Sequence, residues 1–319
     1  MKVAWVFPGQ GSQSVGMATA LLENAPEARD VFARVDEALG FSLSGLIAAG
    51  PEEELTRTEH TQPAIVATSA ALVAVLRARV PNLQAPSFVA GHSLGEYSAL
   101  VAAEALTVED AARIVRARGR AMQEAVPVGV GAMAAVMGVD GDTLDALCKE
   151  HAGAEVVSCA NFNAPGQIVI AGHAGAVARV CEAALAHKGR AIPLKVSAPF
   201  HCALMEPAAR VVAAELARVE LRELSCPLIA NVDAAASNAA SVAREKLVAQ
   251  VTGAVRWQAS VEAMAAAGVT HVVEIGPGKV LTGLVKRIAK GVALANVSDP
   301  TSLDAYAATL AGAGAAAVD

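Results

Sequence analysis

Short apolar runs with the composition of β-strands alternate with longer helical runs along the first part of the chain. The strand-like runs are residues 3–7 and 87–90, and the helical runs are residues 28–39, 61–80, 94–105 and 108–125. Strands followed by helices are typical of a mostly parallel sheet with helices packed on its faces. The order of these runs therefore predicts an α/β fold.

A different order begins after the Pro127-Val128-Gly129 segment. Strand-like and helical runs then follow as β-α-β-β-α-β, at residues 132–139, 142–151, 155–162, 167–171, 174–188 and 190–196. This order is typical of the ferredoxin-like unit. We therefore expect a small ferredoxin-like domain, residues 127–197, inserted into a larger, discontinuous catalytic α/β domain formed by residues 1–126 and 198–319, with a cleft between them.

The 319 residues are 54% hydrophobic and 18% charged, which excludes a disordered chain and supplies a sizeable core. The longest apolar stretch, residues 63–76, is interrupted by Thr68 and Ser69 and ends at Arg77. It is shorter than the roughly 20 residues that a membrane-spanning helix requires. We therefore expect a buried helix here and no membrane partner.

The net charge of −6 and the lack of a basic run predict no nucleic-acid partner. The apolar start of the chain is too short for a signal peptide, so we expect a cytoplasmic protein. Five cysteines are scattered at positions 148, 159, 181, 202 and 226, without a Cys-x-x-Cys pair. This pattern argues against a disulfide framework and against a zinc site, and no metal is expected.

The sequence Gly91-His92-Ser93-Leu94-Gly95 matches the G-x-S-x-G nucleophile elbow of α/β-hydrolase-like folds. A predicted strand precedes it and a predicted helix follows it, as this motif requires. The flanking glycines leave room in a tight turn where a Cβ would clash. The free N–H groups at the start of the helix can stabilise an oxyanion. We therefore favour Ser93 as a nucleophile over a purely structural turn.

A serine nucleophile requires a base, and the chain contains seven histidines. His92 adjoins the candidate nucleophile, and neighbouring side chains in a turn point apart. His201 follows residues 197–200, where the chain returns to the larger domain, and a loop at such a boundary is a favourable place for a base. The residues alone leave His60, His271 or the absence of a base open.

Four arginines lie in the predicted helix 108–125, at positions 113, 116, 118 and 120. At 100° per residue, Arg116 and Arg120 share a face, whereas Arg118 lies well away from them. The simple interpretation is a solvated basic face. An arginine turned toward a cleft would instead suit bidentate capture of a carboxylate.

With these features in view, the chain resembles the malonyl-CoA:acyl carrier protein transacylases of type II fatty acid synthesis. The resemblance covers nearly the whole chain except the Ala- and Gly-rich tail, residues 311–318. Besides the elbow, it is carried by Phe7-Pro8-Gly9-Gln10-Gly11-Ser12-Gln13, Thr61-Gln62-Pro63-Ala64, Arg118-Gly119-Arg120-Ala121-Met122-Gln123, Asn161-Phe162-Asn163-Ala164-Pro165-Gly166-Gln167, Pro199-Phe200-His201 and Glu274-Ile275-Gly276-Pro277-Gly278.

The resemblance implies the catalytic residues. Ser93 would be the nucleophile and His201 its base, and the backbone N–H groups of Gln10 and Leu94 would form the oxyanion hole. Gln250 would orient His201 through its main-chain carbonyl, in place of the acid of a full triad. No feature of the sequence by itself points to Gln250.

The resemblance also implies how the substrate is held. Arg118 would bind the free carboxylate of the malonyl group, and Asn161 would lie near the site. Phe200 before the base, together with Leu94 after the nucleophile, resembles the pattern that selects malonyl over branched methylmalonyl groups.

The implied reaction is a ping-pong transfer from malonyl-CoA to the phosphopantetheine thiol of holo acyl carrier protein through a malonyl-serine, without a cofactor and by a monomer. Acyl carrier protein is acidic and this chain is net negative, so docking would require a local basic patch. Candidates near one helix are Lys279, Lys286, Arg287 and Lys290. A solvated basic face is an equally simple interpretation of these residues.

Other functions share some of these residues. A serine esterase or lipase has the same elbow but has no need of Arg118. A non-enzymatic carrier-binding module would not need an intact Ser93, His201 and Arg118. A malonyl acyltransferase that serves a polyketide synthase or a malonate decarboxylase would use nearly the same residues, and the sequence leaves that alternative open.

Overall fold

The computed structural model describes the backbone of residues 1–315 and the side chains of residues 1–310. Within this part of the chain, ten strands form two sheets: β1 (Val3–Phe7), β2 (Phe88–Gly91), β3 (Gly131–Met137), β4 (Val157–Ala164), β5 (Gln167–His173), β6 (Arg190–Pro193), β7 (Leu228–Ile229), β8 (Ala236–Ser237), β9 (His271–Ile275) and β10 (Ala293–Val297).

Helices connect most of these strands. In chain order they are α1 (Thr19–Asn24), α2 (Pro26–Leu39), α3 (Leu43–Ala49), α4 (Glu52–Thr56), α5 (Thr58–Arg79), α6 (Gly95–Ala102), α7 (Val108–Glu124), α8 (Gly141–His151), α9 (Ala174–Ala186), α10 (Glu206–Ala217), α11 (Ala240–Thr252), α12 (Trp257–Ala266), α13 (Val280–Ile288) and α14 (Pro300–Ala315), with a short 3-10 turn at Ala203–Met205.

The larger sheet has the order β10-β9-β1-β2-β7-β8. All neighbours in it are parallel except β7 and β8. Its central strand, β1, is apolar, and four of its five residues are buried beneath helices. This arrangement confirms the predicted α/β fold with a mostly parallel sheet.

The smaller sheet has the order β4-β5-β3-β6 and is antiparallel throughout. Together with α8 and α9 it forms a β-α-β-β-α-β unit, here called the small unit, which confirms the predicted ferredoxin-like order. The small unit has a hydrophobic cluster of its own, which includes Val136, Leu144, Ile170 and Val180. The boundaries of the predicted domain at residues 127 and 197 stay a prediction.

The long helix α5 is buried among the helices that pack around the larger sheet. Among the described residues it alone is long and apolar enough to cross a membrane, yet 83% of its apolar window is covered by the rest of the fold. Gly119 of α7 allows the two helices to approach closely, since a Cβ there would lie 2.5 Å from the carbonyl oxygen of Thr58. The predicted buried helix is therefore confirmed.

The sequence pattern does not account for every element around the larger sheet. Strand β7 is only two residues long, because the chain turns away at Asn231 to contact the buried site described below. The edge strand β10 and the helices α11 and α14 were not predicted. A tail was expected at residues 311–318. The backbone of residues 311–315 instead continues α14, and residues 316–318 lie outside the described residues.

Candidate active site

Ser93 lies on the turn between the end of β2 and the start of α6, in the left-handed region with φ of 53°. The backbone passes so close to Gly91 and Gly95 that no side chain fits at either position. A Cβ on Gly91 would lie 1.9 Å from the carbonyl carbon of Gly95, and a Cβ on Gly95 would lie 2.3 Å from the carbonyl oxygen of Phe7. The turn therefore accepts no side chain at either position, and it presents the Ser93 hydroxyl at the carboxyl edge of the sheet.

His201 contacts this hydroxyl, with Nε2 at 2.7 Å from Ser93 Oγ. Its other ring nitrogen, Nδ1, lies 2.9 Å from the carbonyl oxygen of Gln250 and 3.2 Å from that of Gly253. A carbonyl oxygen can only accept a hydrogen bond, so Nδ1 carries the proton in the neutral ring. Nε2 is then an acceptor that faces the hydroxyl proton of Ser93. Like the serine, His201 has a positive φ, 58°.

Burial lowers the pKa of His201 to about 3, with a second contribution from the nearby positive charge of Arg118. The hydrogen bond to the carbonyl of Gln250 acts in the opposite direction but is weaker. At neutral pH the imidazole is therefore uncharged and able to accept a proton.

Arg118 lies inside the protein, with 1% of its surface exposed. Its Nη2 donates to Ser93 Oγ and to Gln250 Oε1, both at 3.0 Å, and its Nη1 donates to Gln62 Oε1 at 2.8 Å. Its Nε–H is buried and has no acceptor among the residues that the structure describes. Within the described residues, Arg118 forms no ion pair with an acidic side chain at 4 Å or less. A buried guanidinium with a free donor and no carboxylate partner is suited to bind an anionic group.

Of the other three arginines of α7, Arg113 and Arg120 are exposed and Arg116 is half-buried. Arg113 pairs with Asp110, Arg120 pairs with Glu124, and Arg116 donates to the carbonyl of Leu39. The structure thus separates Arg118 from its three neighbours, as the helical spacing indicated.

A cavity of about 250 Å³ opens above the Ser93 hydroxyl. All the predicted site residues except Gln250 line it, from both the larger sheet region and the small unit: Gln10, Ser93, Leu94, Arg118, Asn161, Phe200 and His201. The side chain of Gln250 lies beneath this cavity, 0% exposed.

The backbone N–H groups of Gln10 and Leu94 have no hydrogen-bond acceptor among the residues that the structure describes. Unpaired N–H groups that border the nucleophile are suited to stabilise a developing oxyanion. Leu94 N precedes the first turn of α6, where the helix leaves its N–H groups free.

The alternative histidines lie elsewhere. His92 Nε2 contacts Asn163 Oδ1 at 2.8 Å, and burial lowers the pKa of this ring. His60 Nδ1 contacts the carbonyl oxygen of Glu54, and His271 Nδ1 contacts the hydroxyl of Thr270. Neither His60 nor His271 lines the cavity, so of the candidate bases only His201 reaches the serine.

Three polar residues of the site were not assigned a role from the sequence. Gln62 lies in the Thr61-Gln62-Pro63-Ala64 segment that carries the resemblance, and its Oε1 accepts from Arg118. Glu96 stands three residues after Ser93 and is buried beneath the turn. Asn231 accepts from the backbone N–H of Ser93 at 2.8 Å, and no local feature of its sequence distinguishes it from other asparagines.

The chain belongs to the acyl transferase domain family, whose model matches residues 4–312. Among its relatives, it is 48% identical over 305 residues to a malonyl CoA-acyl carrier protein transacylase of Escherichia coli strain K12, with 95% of this chain and 97% of the relative covered.

Solved structures agree with this assignment. An acyl carrier protein S-malonyltransferase from Vibrio cholerae superposes with a TM-score of 0.93 at 46% identity, covering 96% of this chain and all of that one. A malonyl-transacylase in complex with a type II PKS acyl-carrier protein has a TM-score of 0.93 at 45% identity, covering 97% of this chain and 100% of that chain.

Proposed function

We propose that this protein transfers a malonyl group from malonyl-CoA to the phosphopantetheine thiol of acyl carrier protein, in fatty acid biosynthesis. The observation that carries the proposal is the position of Arg118, a buried guanidinium that no carboxylate of the described residues pairs with, 3.0 Å from the hydroxyl that His201 contacts. A nucleophile, a base and an anion-binding group around one atom are the parts that transfer of a carboxylated acyl group requires.

In the first half-reaction, Ser93 Oγ attacks the thioester carbon of malonyl-CoA while its proton passes to His201 Nε2. The negative charge on the carbonyl oxygen is stabilised by the N–H groups of Gln10 and Leu94. The tetrahedral intermediate collapses, the C–S bond breaks, and the proton on Nε2 goes to the departing sulfur of coenzyme A. A malonyl ester on Ser93 remains.

In the second half-reaction, the thiol of the carrier's phosphopantetheine occupies the position that coenzyme A has left. His201 takes the thiol proton, and the sulfur attacks the ester carbon. The C–O bond to Ser93 breaks, and Oγ recovers its proton from Nε2. The enzyme returns to its starting state, and no cofactor takes part in either half.

Selection of malonyl over an uncharged acetyl group follows from Arg118. A carboxylate that binds the guanidinium satisfies a buried charge, whereas a methyl group leaves it unpaired, and leaving a buried charge unpaired is costly. Phe200 and Leu94 border the same space, where they limit branching next to the carboxylate. Asn161 enters from β4 of the small unit and contributes a polar side chain to the cavity wall.

The carrier could also belong to a polyketide synthase. The relative solved in complex with a type II PKS acyl-carrier protein, at 45% identity over nearly the whole chain, supports this second candidate for the pathway. The chemistry is the same in both cases. An esterase is disfavoured, because hydrolysis of an ester by water does not require a buried guanidinium beside the nucleophile.

The docking surface proposed for the acidic carrier is on α13 and its flanks. Lys279, Lys286 and Lys290 are exposed, and Val280, which is 56% exposed, adds an apolar side chain beside Lys279. Arg287 is instead engaged with the small unit, where it donates to Gln167 Oε1 and to the carbonyl of Pro165. We propose a cytoplasmic monomer that meets its carrier on this surface.

A direct test follows the label of malonyl-CoA onto purified holo acyl carrier protein, with acetyl-CoA and methylmalonyl-CoA in parallel reactions. We expect transfer of malonyl in preference to both. Release of free malonate without transfer to the carrier would instead identify a thioesterase. Two carriers, one from fatty acid and one from polyketide synthesis of the same organism, separate the two pathway candidates by their kcat/KM.

A further inference from the structure

Beneath the Ser93 turn lies a buried carboxyl group that the reaction above does not use. Glu96 is 1% exposed and belongs to the first turn of α6. One of its oxygens accepts from the backbone N–H of Asn231, and the other accepts from the side-chain amide of Gln250. No basic side chain forms an ion pair with Glu96 within the described residues, so hydrogen bonds to these two neutral residues are what compensates its burial.

Asn231 connects this carboxyl group to the nucleophile. Its Oδ1 accepts from the backbone N–H of Ser93 at 2.8 Å, and its Nδ2 donates to the carbonyl of Gly91 at 2.7 Å. The two bonds lie on either side of the turn. They hold Ser93 in a left-handed conformation that a non-glycine residue adopts only at a cost.

Gln250 connects the same carboxyl group to the anion-binding side of the site. Its Nε2 donates to Glu96 and to the carbonyl oxygen of Ser93, the latter at 2.9 Å. Both of those oxygens accept, so the amide is fixed with Oε1 on the opposite side, where it accepts from Arg118 Nη2 at 3.0 Å. If the amide flipped, its N–H would face the guanidinium, and two donors would oppose each other.

We infer that Glu96 is a positioning residue of the transfer reaction, whose two oxygens fix Asn231 and Gln250 and, through them, the Ser93 turn and the Arg118 guanidinium. The inference rests on the proposed function, since it assigns Glu96 a part in selecting the carboxylated acyl group. Glu96 itself does not touch the substrate cavity.

The burial of Glu96 has a measurable consequence for its ionisation. Desolvation raises its pKa to about 8, although the donors from Asn231 and Gln250 and the charges of Arg118 and Lys246 lower it in part. A buried carboxyl group is uncommon in proteins, and the four residues that Glu96 organises, Ser93, Arg118, Asn231 and Gln250, all belong to the site.

The test is the Glu96→Gln variant, which keeps the shape of the side chain but places an N–H₂ group opposite one of two donors. A buried donor left opposite this N–H₂ group is unsatisfied, which predicts a fall of about tenfold to a hundredfold in kcat/KM for malonyl-CoA. Because Arg118 loses its fixed partner, we expect the preference for malonyl-CoA over acetyl-CoA to fall as well, by about tenfold. A change in preference is a readout that simple destabilisation does not produce.

The chain offers a matched control in Glu274. This glutamate is 0% exposed and accepts from the backbone N–H groups of Leu281 and Thr282 and from the hydroxyl of Thr282, at the start of α13. Glu274→Gln makes the same chemical change at an equally buried position. We expect it to lower Tm while the malonyl-to-acetyl preference of the folded enzyme stays at the wild-type value.

A double-mutant cycle tests whether Glu96 acts through Gln250. The Gln250→Leu variant retains the main-chain carbonyl that contacts His201 but lacks the amide between Glu96 and Arg118. If the inference holds, Glu96→Gln has little further effect on the malonyl preference in that background, because the connection is already cut. If the losses of malonyl preference caused by the two substitutions instead multiply in the double variant, the inference is overturned.

A wild-type malonyl preference in Glu96→Gln, with a loss of Tm like that of Glu274→Gln, would also overturn the inference. If Glu96→Gln does not fold, Glu96→Asp is measured by the same ratio, since its shorter carboxylate cannot span both partners. Failure of the proposed function is recognised separately, because the wild-type enzyme itself would then not transfer malonyl groups.

Discussion

Arg118 Nη2 and His201 Nε2 contact the same atom, Ser93 Oγ, at 3.0 and 2.7 Å. The Arg118 guanidinium, which stays charged, therefore lies beside the His201 imidazole, which becomes a cation when it takes the serine proton. Burial and this neighbouring charge together lower the pKa of His201. A malonyl carboxylate bound to Arg118 offsets the guanidinium charge, so the substrate itself would make the imidazole a better base.

The first prediction concerns substrate choice. In Arg118→Gln, kcat/KM for malonyl-CoA should fall by about thirtyfold or more, because truncating one partner of a buried, hydrogen-bonded charge pair costs about 2–5 kcal/mol. Transfer of the uncharged acetyl group should fall much less or even rise. Steady-state kinetics with both thioesters measure the ratio. Equal losses for the two substrates would contradict the role given to Arg118.

The second prediction concerns pH. His201 must be neutral to accept the serine proton, so activity is lost as the pH falls through its pKa, which is about 3 in the free enzyme. Arg118→Gln removes a positive charge that lowers this pKa, so the acidic limb of kcat/KM for acetyl-CoA should move to higher pH. It should remain below the ordinary histidine value of about 6.5, since burial is the larger cause.

Acetyl-CoA is the substrate for this profile because its acyl group does not titrate. The ring nitrogen chemical shifts of His201, followed by NMR, give an independent measurement of the same pKa. A limb that stays in place or moves to lower pH in Arg118→Gln would contradict the electrostatic coupling between the two side chains.

The third prediction concerns the turn. Gly91→Ala should lower the free energy of unfolding by about 3 kcal/mol or more, since its Cβ would lie 1.9 Å from a backbone carbon that cannot move without breaking the turn. Gly283 in α13 is a matched control, because a Cβ there meets nothing within 4 Å. Gly283→Ala should raise the free energy of unfolding by about 0.5–1 kcal/mol, as measured by urea titration.

The fourth prediction concerns the carrier. Lys286→Glu together with Lys290→Glu should raise the KM for acyl carrier protein by about tenfold while the KM for malonyl-CoA is unchanged, because charge complementarity acts mainly on encounter with the protein partner. Arg287 is left intact, since its contacts with Gln167 and Pro165 hold the small unit.

The matched control for the carrier surface is on α10, where Arg210 is 70% exposed and reaches Glu206 only at 3.9 Å. Arg218, which directly follows α10, is 71% exposed and pairs with Glu215. Arg210→Glu together with Arg218→Glu changes the net charge by the same amount as the Lys286 and Lys290 pair. An equal rise in KM for the carrier from both pairs would show that net charge, and not a docking surface on α13, is responsible.

The nucleophile could be predicted from the sequence because its constraints are local. Gly91, Ser93 and Gly95 lie within five residues, and each glycine is required by a backbone contact within the turn or with the adjacent strand. The predicted parallel sheet and the β-α-β-β-α-β unit followed from patterns of similar short range. Arg118 could be separated from its neighbours by helical spacing, but only the folded structure shows which of them is buried.

The rest of the site depends on contacts between distant parts of the chain. Asn231 and Gln250 lie 138 and 157 residues from Ser93, and each uses a backbone contact that no residue type reveals. The resemblance pointed to Gln250, whereas Asn231 was missed altogether. In the edge strand β10, only Val297 is buried and Asn296 interrupts the apolar residues, so it lacks the pattern of a buried strand.

The measurement that bears most directly on the whole account is intact mass spectrometry of the enzyme mixed with malonyl-CoA in the absence of carrier, followed by peptide mapping. We expect one malonyl group on the peptide that contains Ser93, none in Ser93→Ala, and its complete loss when holo acyl carrier protein is added. An unmodified enzyme that still transfers malonyl, or a malonyl group attached to another residue, would contradict the mechanism.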